Sequence, residues 1–152
     1  MPKEKAFEGK IEFLQILDEN GNLDESLEPQ IKNSELDSFY KMMVFSRVAD
    51  DKALALQRQG RVGTFAPTSG QEAAQIGSAS LLKKTDWMVP CFREAVAYMV
   101  RGVPLHMIYT YISGNEEGSR LPQGAHDLPV SIPVGSQILH AVGLSYAEKI
   151  KK

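Results

Sequence analysis

The chain has 152 residues with a net charge of -2, close to the size of one domain on a prior of roughly 100–200 residues per domain. Hydrophobic residues at 43% and charged residues at 24% exclude intrinsic disorder and collagen-like or coiled-coil repeats. Near-neutrality offers no basic field for a nucleic acid and no polybasic membrane anchor, and a single cysteine excludes both a disulfide framework and a thiolate zinc site.

Read from the N-terminus, Met1–Lys5 carries charge without a following apolar stretch, so no signal peptide is expected. No apolar run approaches the ~20 residues that a membrane span needs. With the lone Cys91, this predicts a reducing, cytoplasmic compartment. Ile11 to Leu17 is short, apolar and partly alternating, which predicts a strand; Asn20-Gly21 after it is a strong turn signal. Asp24 to Pro29 reads as a solvated connector, so residues 1–32 form an N-terminal strand and extended arm.

Residues 33–152 read as the second unit. Ser34-Glu35-Leu36-Asp37 has capping-box spacing, and Leu36, Phe39, Tyr40, Met43, Val44 and Val48 recur at helical intervals as a predicted buried stripe that runs to Gly60. After the turn-rich loop from Gly63 to Gly70, with Thr68 or Ser69 as its cap, a helix of small residues is predicted over Gln71 to Leu82. Asp86 to Pro90 reads as a brief strand. Phe92 to Arg101 and then Pro104 to Gly114 read as helices, the second opened by its proline. Asn115 to Val130 is an aperiodic loop, and Pro133 opens a last helix with Val134, Ile138, Leu139, Val142 and Tyr146 on one side.

Chemistry-bearing residues are sparse. His106, His126 and His140 lack metal-ligand spacing. His126-Asp127 reads either as an acid–base pair or as an ordinary surface loop pair, and Cys91 reads as a structural thiol despite the nearby Arg93 guanidinium. There is no Gly-x-Gly-x-x-Gly and no Walker loop. Arg93, at a helix mouth close to glycine-rich loops, is the better candidate for a phosphate contact, with a surface salt bridge as the alternative.

The order of the motifs is more specific than any one of them. Arg58-Gln59-Gly60-Arg61 leads into Gly63-Thr64-Phe65-Ala66-Pro67-Thr68-Ser69-Gly70-Gln71-Glu72-Ala73. Val89-Pro90-Cys91-Phe92-Arg93-Glu94, Arg101-Gly102-Val103-Pro104-Leu105, Leu121-Pro122-Gln123-Gly124, Ile132-Pro133-Val134-Gly135-Ser136-Gln137 and Ala141-Val142-Gly143 follow. From about Ile11 to the last residue this series resembles the alpha subunit of the thiamine-diphosphate-dependent 2-oxo acid dehydrogenases, the decarboxylating component of the pyruvate and branched-chain complexes.

The resemblance implies an α/β fold, the three-layer α/β/α thiamine diphosphate-binding architecture, truncated and helix-rich in this segment. It implies a beta subunit, with thiamine diphosphate at the interface, and a lipoyl-bearing acyltransferase that takes the acyl group. Phe92 and Arg93 fall where the family usually has a Tyr-Arg pair on the cofactor; Phe92 keeps the ring and loses the hydroxyl. Ile132 and Val134 match residues that wedge against the cofactor. Ser131, Pro133, Ser136 and Gln137 match a potassium-binding loop of the branched-chain members. Phe65 and Ala66 fall at the substrate entrance, and some pyruvate enzymes carry histidine at the Ala66 position.

One departure bears on activity. The Gly-Asp-Gly…Asn element that carries the family's Mg2+ ligands does not occur in this sequence. The expectation is therefore an N-terminal portion that needs the C-terminal half of the alpha subunit, and that alone binds the cofactor poorly and does not turn over. The favoured activity is oxidative decarboxylation of pyruvate with acetyl transfer to a lipoyl group. The alternatives are a branched-chain 2-oxo acid dehydrogenase alpha subunit and a non-catalytic assembly module. A hydrolase using His126 and Asp127 lacks a nucleophile.

Overall fold

The computed structural model describes residues 3–5, 7–122 and 124–151. The chain divides into two compact units, Met1–Asn33 and Ser34–Lys152.

The first unit is an extended arm with a turn over residues 25–27 and, before it, one over residues 19–20. Asp18 organises that turn by accepting from the backbone N–H groups of Asn20 and Asn22 and from the Asn22 side chain. These hydrogen bonds hold the Asp18 carboxyl below its ordinary value. The predicted strand over Ile11 to Leu17 does not form: a single antiparallel bridge joins Leu17 to Leu23. Ile11, Phe13 and Leu14 stay exposed, so alternation alone gives the segment no ladder to join.

The second unit is helical. α1 spans Asn33–Arg58, α2 Glu72–Ser80, α3 Ala95–Val100, α4 Leu105–Ile112 and α5 Ser136–Lys151, with a 3-10 turn over Glu116–Ser119. Among the described residues there is no β-strand. The predicted strand at Asp86 to Pro90 is reduced to one parallel bridge between Met88 and Asp127. Its two hydrogen bonds run from the Met88 N–H to the His126 carbonyl and from the Leu128 N–H to the Met88 carbonyl. The layered α/β/α arrangement is therefore not visible in this segment.

α1 buries a different face from the predicted stripe. Leu36, Tyr40, Val44 and Val48 are exposed, and Ser46, Ala49, Asp50 and Ala53 are buried. Small residues on that face let neighbouring segments approach, and polar groups fasten them: the Tyr109 hydroxyl of α4 donates to the Ala49 carbonyl, and Asp50 grips the loop before α2. Gly60 has a φ of +69°, the left-handed conformation that ends a helix without a Cβ penalty.

α2 likewise has two faces. Glu72, Gln75, Ile76 and Ala79 are buried, while Ala73, Ala74, Gly77 and Ser78 face outward. Neither Thr68 nor Ser69 caps it, because both hydroxyls donate to Asp50 instead. α3 starts three residues later than predicted because the Glu94 carboxylate accepts from the N–H groups of Cys91 and Arg93, holding those residues in a turn. Pro104 stands just outside α4 in an extended conformation, as a residue without an N–H can.

The core consists of Ala79, Met88, Ala97, Tyr98 and Val103, with Leu82, Val100, Met107, Ile108, Leu121 and Val130 against it. Gly118 lets the 3-10 turn lie directly on α4: a Cβ there would overlap the Tyr111 nitrogen and the Met107 carbonyl oxygen. A buried ion pair staples the loops together. The Arg101 guanidinium donates to Asp127 Oδ1 (2.8 Å) and to the carbonyls of Lys83 (2.7 Å) and Asp86 (3.0 Å). Val134, just before α5, and Ile138, Leu139, Val142 and Tyr146 on it are exposed, and Trp87 Nε1 reaches the helix by donating to Glu148 (3.2 Å).

Candidate functional site

The loop from Gly63, the segment from Cys91 and the residues before α5 meet around one cavity of about 310 Å³. Phe65, Ala66, Phe92 and Ile132 line it, and the back wall comes from the core through Val103, Ile108, Leu121 and Val130. Four of the residues singled out in the sequence thus face a common space. The rim is held by the Gly63 N–H, which donates to the Ile112 carbonyl at 2.7 Å.

The charged residue of the wall is Glu94, whose carboxylate is already committed to two backbone N–H groups. The Tyr98 hydroxyl donates to the Leu128 carbonyl, and burial pushes its pKa well above the ordinary phenol value. A cavity so lined suits a ring or an alkyl group and has no cation of its own.

Positive charge stands beside it. The Arg93 guanidinium lies 5.5 Å from the centroid of the Phe92 ring and donates from Nη1 to the Pro67 carbonyl at 2.6 Å. That carbonyl is fixed in turn by Asp50, which sits 6% exposed beneath the loop. Its carboxylate accepts from the N–H (2.9 Å) and hydroxyl (3.1 Å) of Thr68, and from the N–H (3.1 Å) and hydroxyl (2.7 Å) of Ser69. Next to it, Glu72 accepts from Arg47 Nε at 2.5 Å and from the Gly70 N–H at 2.8 Å. The Arg47 hydrogen bond above all holds the Glu72 carboxyl at about 2, against an ordinary 4.5. The loop carrying Phe65 and Ala66 is thus tied to α1 and α2 by two carboxylates.

The residues just before α5 and the first two of the helix form a second cluster. The hydroxyls of Ser131 and Ser136 are 2.7 Å apart, and Ser136 also donates to the Pro133 carbonyl at 2.8 Å. Gln137 Oε1 is buried with no hydrogen-bond partner. An acceptor left in that state costs ~1–3 kcal/mol unless a donor or cation meets it. Val134 is 84% exposed and does not line the cavity. Among the described residues, no group of three or more His, Cys, Asp or Glu is placed to hold a metal ion, and no helix is long and apolar enough to cross a membrane.

The His126-Asp127 pair does not form an acid–base unit. Asp127 is taken by Arg101, while the His126 ring stacks on Trp87 at 4.8 Å and its Nδ1 bonds the Thr85 carbonyl. Asp50, which holds the Thr68–Ser69 loop, and Gln75, which bonds the Arg93 carbonyl, were not expected from the sequence. The signal that could have found Asp50 is a carboxylate set among the small residues of a helix, Ser46, Ala49 and Ala53.

Comparison with known proteins gives the family of the chain. The dehydrogenase E1 component family matches residues 40–152. The pyruvate dehydrogenase E1 component subunit alpha of Acholeplasma laidlawii is 46% identical over 136 residues, covering 89% of this chain and 39% of the relative. The protein of the same name from Staphylococcus aureus (strain Mu50 / ATCC 700699) is 37% identical over 143 residues, 93% of this chain and 39% of its own length. That from Bacillus cereus is 33% identical over 148 residues, 97% of this chain and 40% of its own. The chain therefore spans about two-fifths of the length of these curated relatives. The chain belongs to the dehydrogenase E1 component family, and so to the thiamine-diphosphate-binding enzyme folds.

Proposed function

We propose that this chain supplies the alpha side of a pyruvate dehydrogenase decarboxylating component, which oxidatively decarboxylates pyruvate and passes the acetyl group to a lipoyl arm. The observation that carries the reading is the convergence of Phe65, Ala66, Phe92 and Ile132 on one apolar cavity, with the Arg93 guanidinium beside its wall. The names of the relatives point the same way. The finer fold is the three-layer α/β/α architecture, completed by the C-terminal half of the alpha subunit.

The residues present fit thiamine diphosphate. Phe92 and Ile132 offer apolar walls to its rings, and Arg93 offers a planar, permanently charged donor to a diphosphate. Val134 would add its exposed methyl groups to that wedge. Bound thiamine diphosphate supplies an electron sink for loss of carbon dioxide from a 2-oxo acid. Phe65 and Ala66 shape the entrance for that acid, and the Asp50 and Glu72 carboxylates keep their loop in place.

For potassium, the support is twofold: the oxygens of Ser131, Pro133 and Ser136 lie together, and Gln137, next in the chain, has a buried Oε1 without a hydrogen-bond partner. Hydroxyl, carbonyl and amide oxygens suit a hard, weakly hydrated cation. Mg2+ on the diphosphate would be held by the C-terminal half. The assembled enzyme would be a cytoplasmic heterotetramer with the beta subunit, served by a lipoyl-bearing acyltransferase. A second reading, an assembly module without catalysis, draws on the uncovered apolar face of α5.

The test is reconstitution. The chain is combined with the C-terminal remainder and beta subunit of the Acholeplasma laidlawii enzyme, thiamine diphosphate, Mg2+ and carboxyl-labelled 2-oxo acids. Release of labelled carbon dioxide from pyruvate is expected. Assembly without release from any 2-oxo acid overturns the catalytic reading and leaves the assembly module, whereas release from branched-chain acids alone reassigns the substrate.

A further inference from the structure

Gln75, on the buried face of α2 and 7% exposed, is held by neither the small-residue pattern of its helix nor the cavity lining. Its side-chain oxygen accepts from the N–H groups of Val96 (3.1 Å) and Ala97 (3.3 Å) in the first turn of α3. Its side-chain nitrogen donates to the Arg93 carbonyl at 3.0 Å, with a longer approach of 3.5 Å to Gln71 Oε1. Glu94, the residue preceding α3, makes no side-chain cap to that helix, because its carboxylate turns back to the N–H groups of Cys91 and Arg93. The backbone of Arg93 is thus gripped on both sides: its N–H by Glu94 and its carbonyl by Gln75.

We infer that Gln75 is a positioning residue for Arg93: its amide fixes the Arg93 carbonyl against α3 and so aims the guanidinium past Phe92 at the place where a diphosphate would bind. The inference rests on the proposed role of Arg93 as the diphosphate contact. An amide is the side chain that can accept from two N–H groups with its oxygen and donate to a carbonyl with its nitrogen. Glutamate, nearly isosteric, keeps the acceptor for α3 and loses the donor to Arg93. Methionine loses both. The two variants therefore separate capping of α3 from placement of Arg93.

The experiment is NMR on the full chain, alone and titrated with inorganic diphosphate. Three signals are followed: amide exchange at Val96 and Ala97, the Arg93 guanidinium resonances displaced by the Phe92 ring current, and the titration midpoint. Gln75→Glu should keep slow exchange at Val96 and Ala97 while the Arg93 resonances shift towards free arginine. Its diphosphate midpoint should rise about fivefold, the factor carried by one hydrogen bond of ordinary net strength. Arg93→Met should remove diphosphate binding. If Arg93→Met abolishes binding but Gln75→Glu leaves both the Arg93 resonances and the midpoint unchanged, the inference is overturned and the role of Arg93 stands. If Arg93→Met binds diphosphate like the unaltered chain, the role of Arg93 fails, and the Arg93 resonances still decide whether Gln75 positions that residue. Should Gln75→Glu not fold, unchanged Arg93 resonances in Gln75→Met overturn the inference equally.

Discussion

Arg101→Met removes the staple that joins the end of α3 to the two loops framing the core. Arg101 and Asp127 are 8% and 3% exposed, and the guanidinium makes three hydrogen bonds of 2.7–3.0 Å, one to the carboxylate and two to carbonyls. Methionine fills much of the same volume but leaves the Asp127 carboxylate buried without a counter-charge, which costs ~3–5 kcal/mol. Set against a domain stability of ~5–15 kcal/mol, that is a large fraction. The exposed pair Lys41–Asp37 on α1 is the control, since breaking such a pair costs less than about 1 kcal/mol. Urea unfolding followed by Trp87, the single tryptophan of the chain, reports on this region because its ring stacks on His126, next to Asp127. Adding Asp127→Leu to Arg101→Met should recover most of the loss, since replacing both charges with apolar groups leaves no orphan. A loss under about 1 kcal/mol for Arg101→Met alone would refute the reasoning, as would a double variant no better than the single.

Three further outcomes follow from the same frame. Glu72 has a carboxyl depressed to about 2, so below 4.5 the unfolded state takes up protons that the folded state does not; stability should fall as pH drops from 4.5 towards 2, and Glu72→Gln should remove that part of the acid dependence in pH-dependent urea titrations. Asp50→Ala leaves two N–H groups and two hydroxyls of the Thr68–Ser69 loop without their acceptor, and should cost ~2–3 kcal/mol in thermal unfolding with faster amide exchange at both residues. Unchanged exchange there would contradict the role given to Asp50. Gly118→Ala must push the 3-10 turn off α4, and a loss of ~1–3 kcal/mol is expected by denaturation, where an exposed glycine such as Gly143 should tolerate alanine.

The helices of the second unit were legible because their signals are local. Helical spacing places α1, α2, α4 and α5 within a few residues, and Gly60 and Pro104 mark boundaries through constraints that every chain shares. Which face of α1 is buried was not legible. Its larger apolar residues, Leu36, Tyr40, Val44 and Val48, argue for one side, yet Asp50 and Tyr109 tie a loop and α4 to the other. The partners, the loop at Thr68 and Tyr109 on α4, lie 18 and 60 residues away, beyond any periodicity. The strand readings failed for a related reason, since alternation at Ile11 to Leu17 specifies a face but not a partner. At the site, motif order singled out Phe65, Ala66, Phe92 and Ile132, which line one cavity, whereas Gln75 was hidden in a helix read for its small residues. A buried amide shows its worth only through what it touches, here backbone groups 18 to 22 residues away.

The central claim is that the cavity between Phe65, Phe92 and Ile132, flanked by Arg93, receives thiamine diphosphate. Titrating the cofactor into the chain with labelled isoleucine methyl groups tests this directly, because Ile108 and Ile132 line the cavity, Ile76 is buried in α2 and Ile150 lies exposed on α5. Binding that is weak but confined is predicted: the Ile132 and Ile108 methyl signals move together, Ile76 and Ile150 stay still, and Arg93→Met suppresses the movement. Movement at Ile150 in place of Ile132, or no movement at any methyl up to the solubility of the cofactor, would contradict the account.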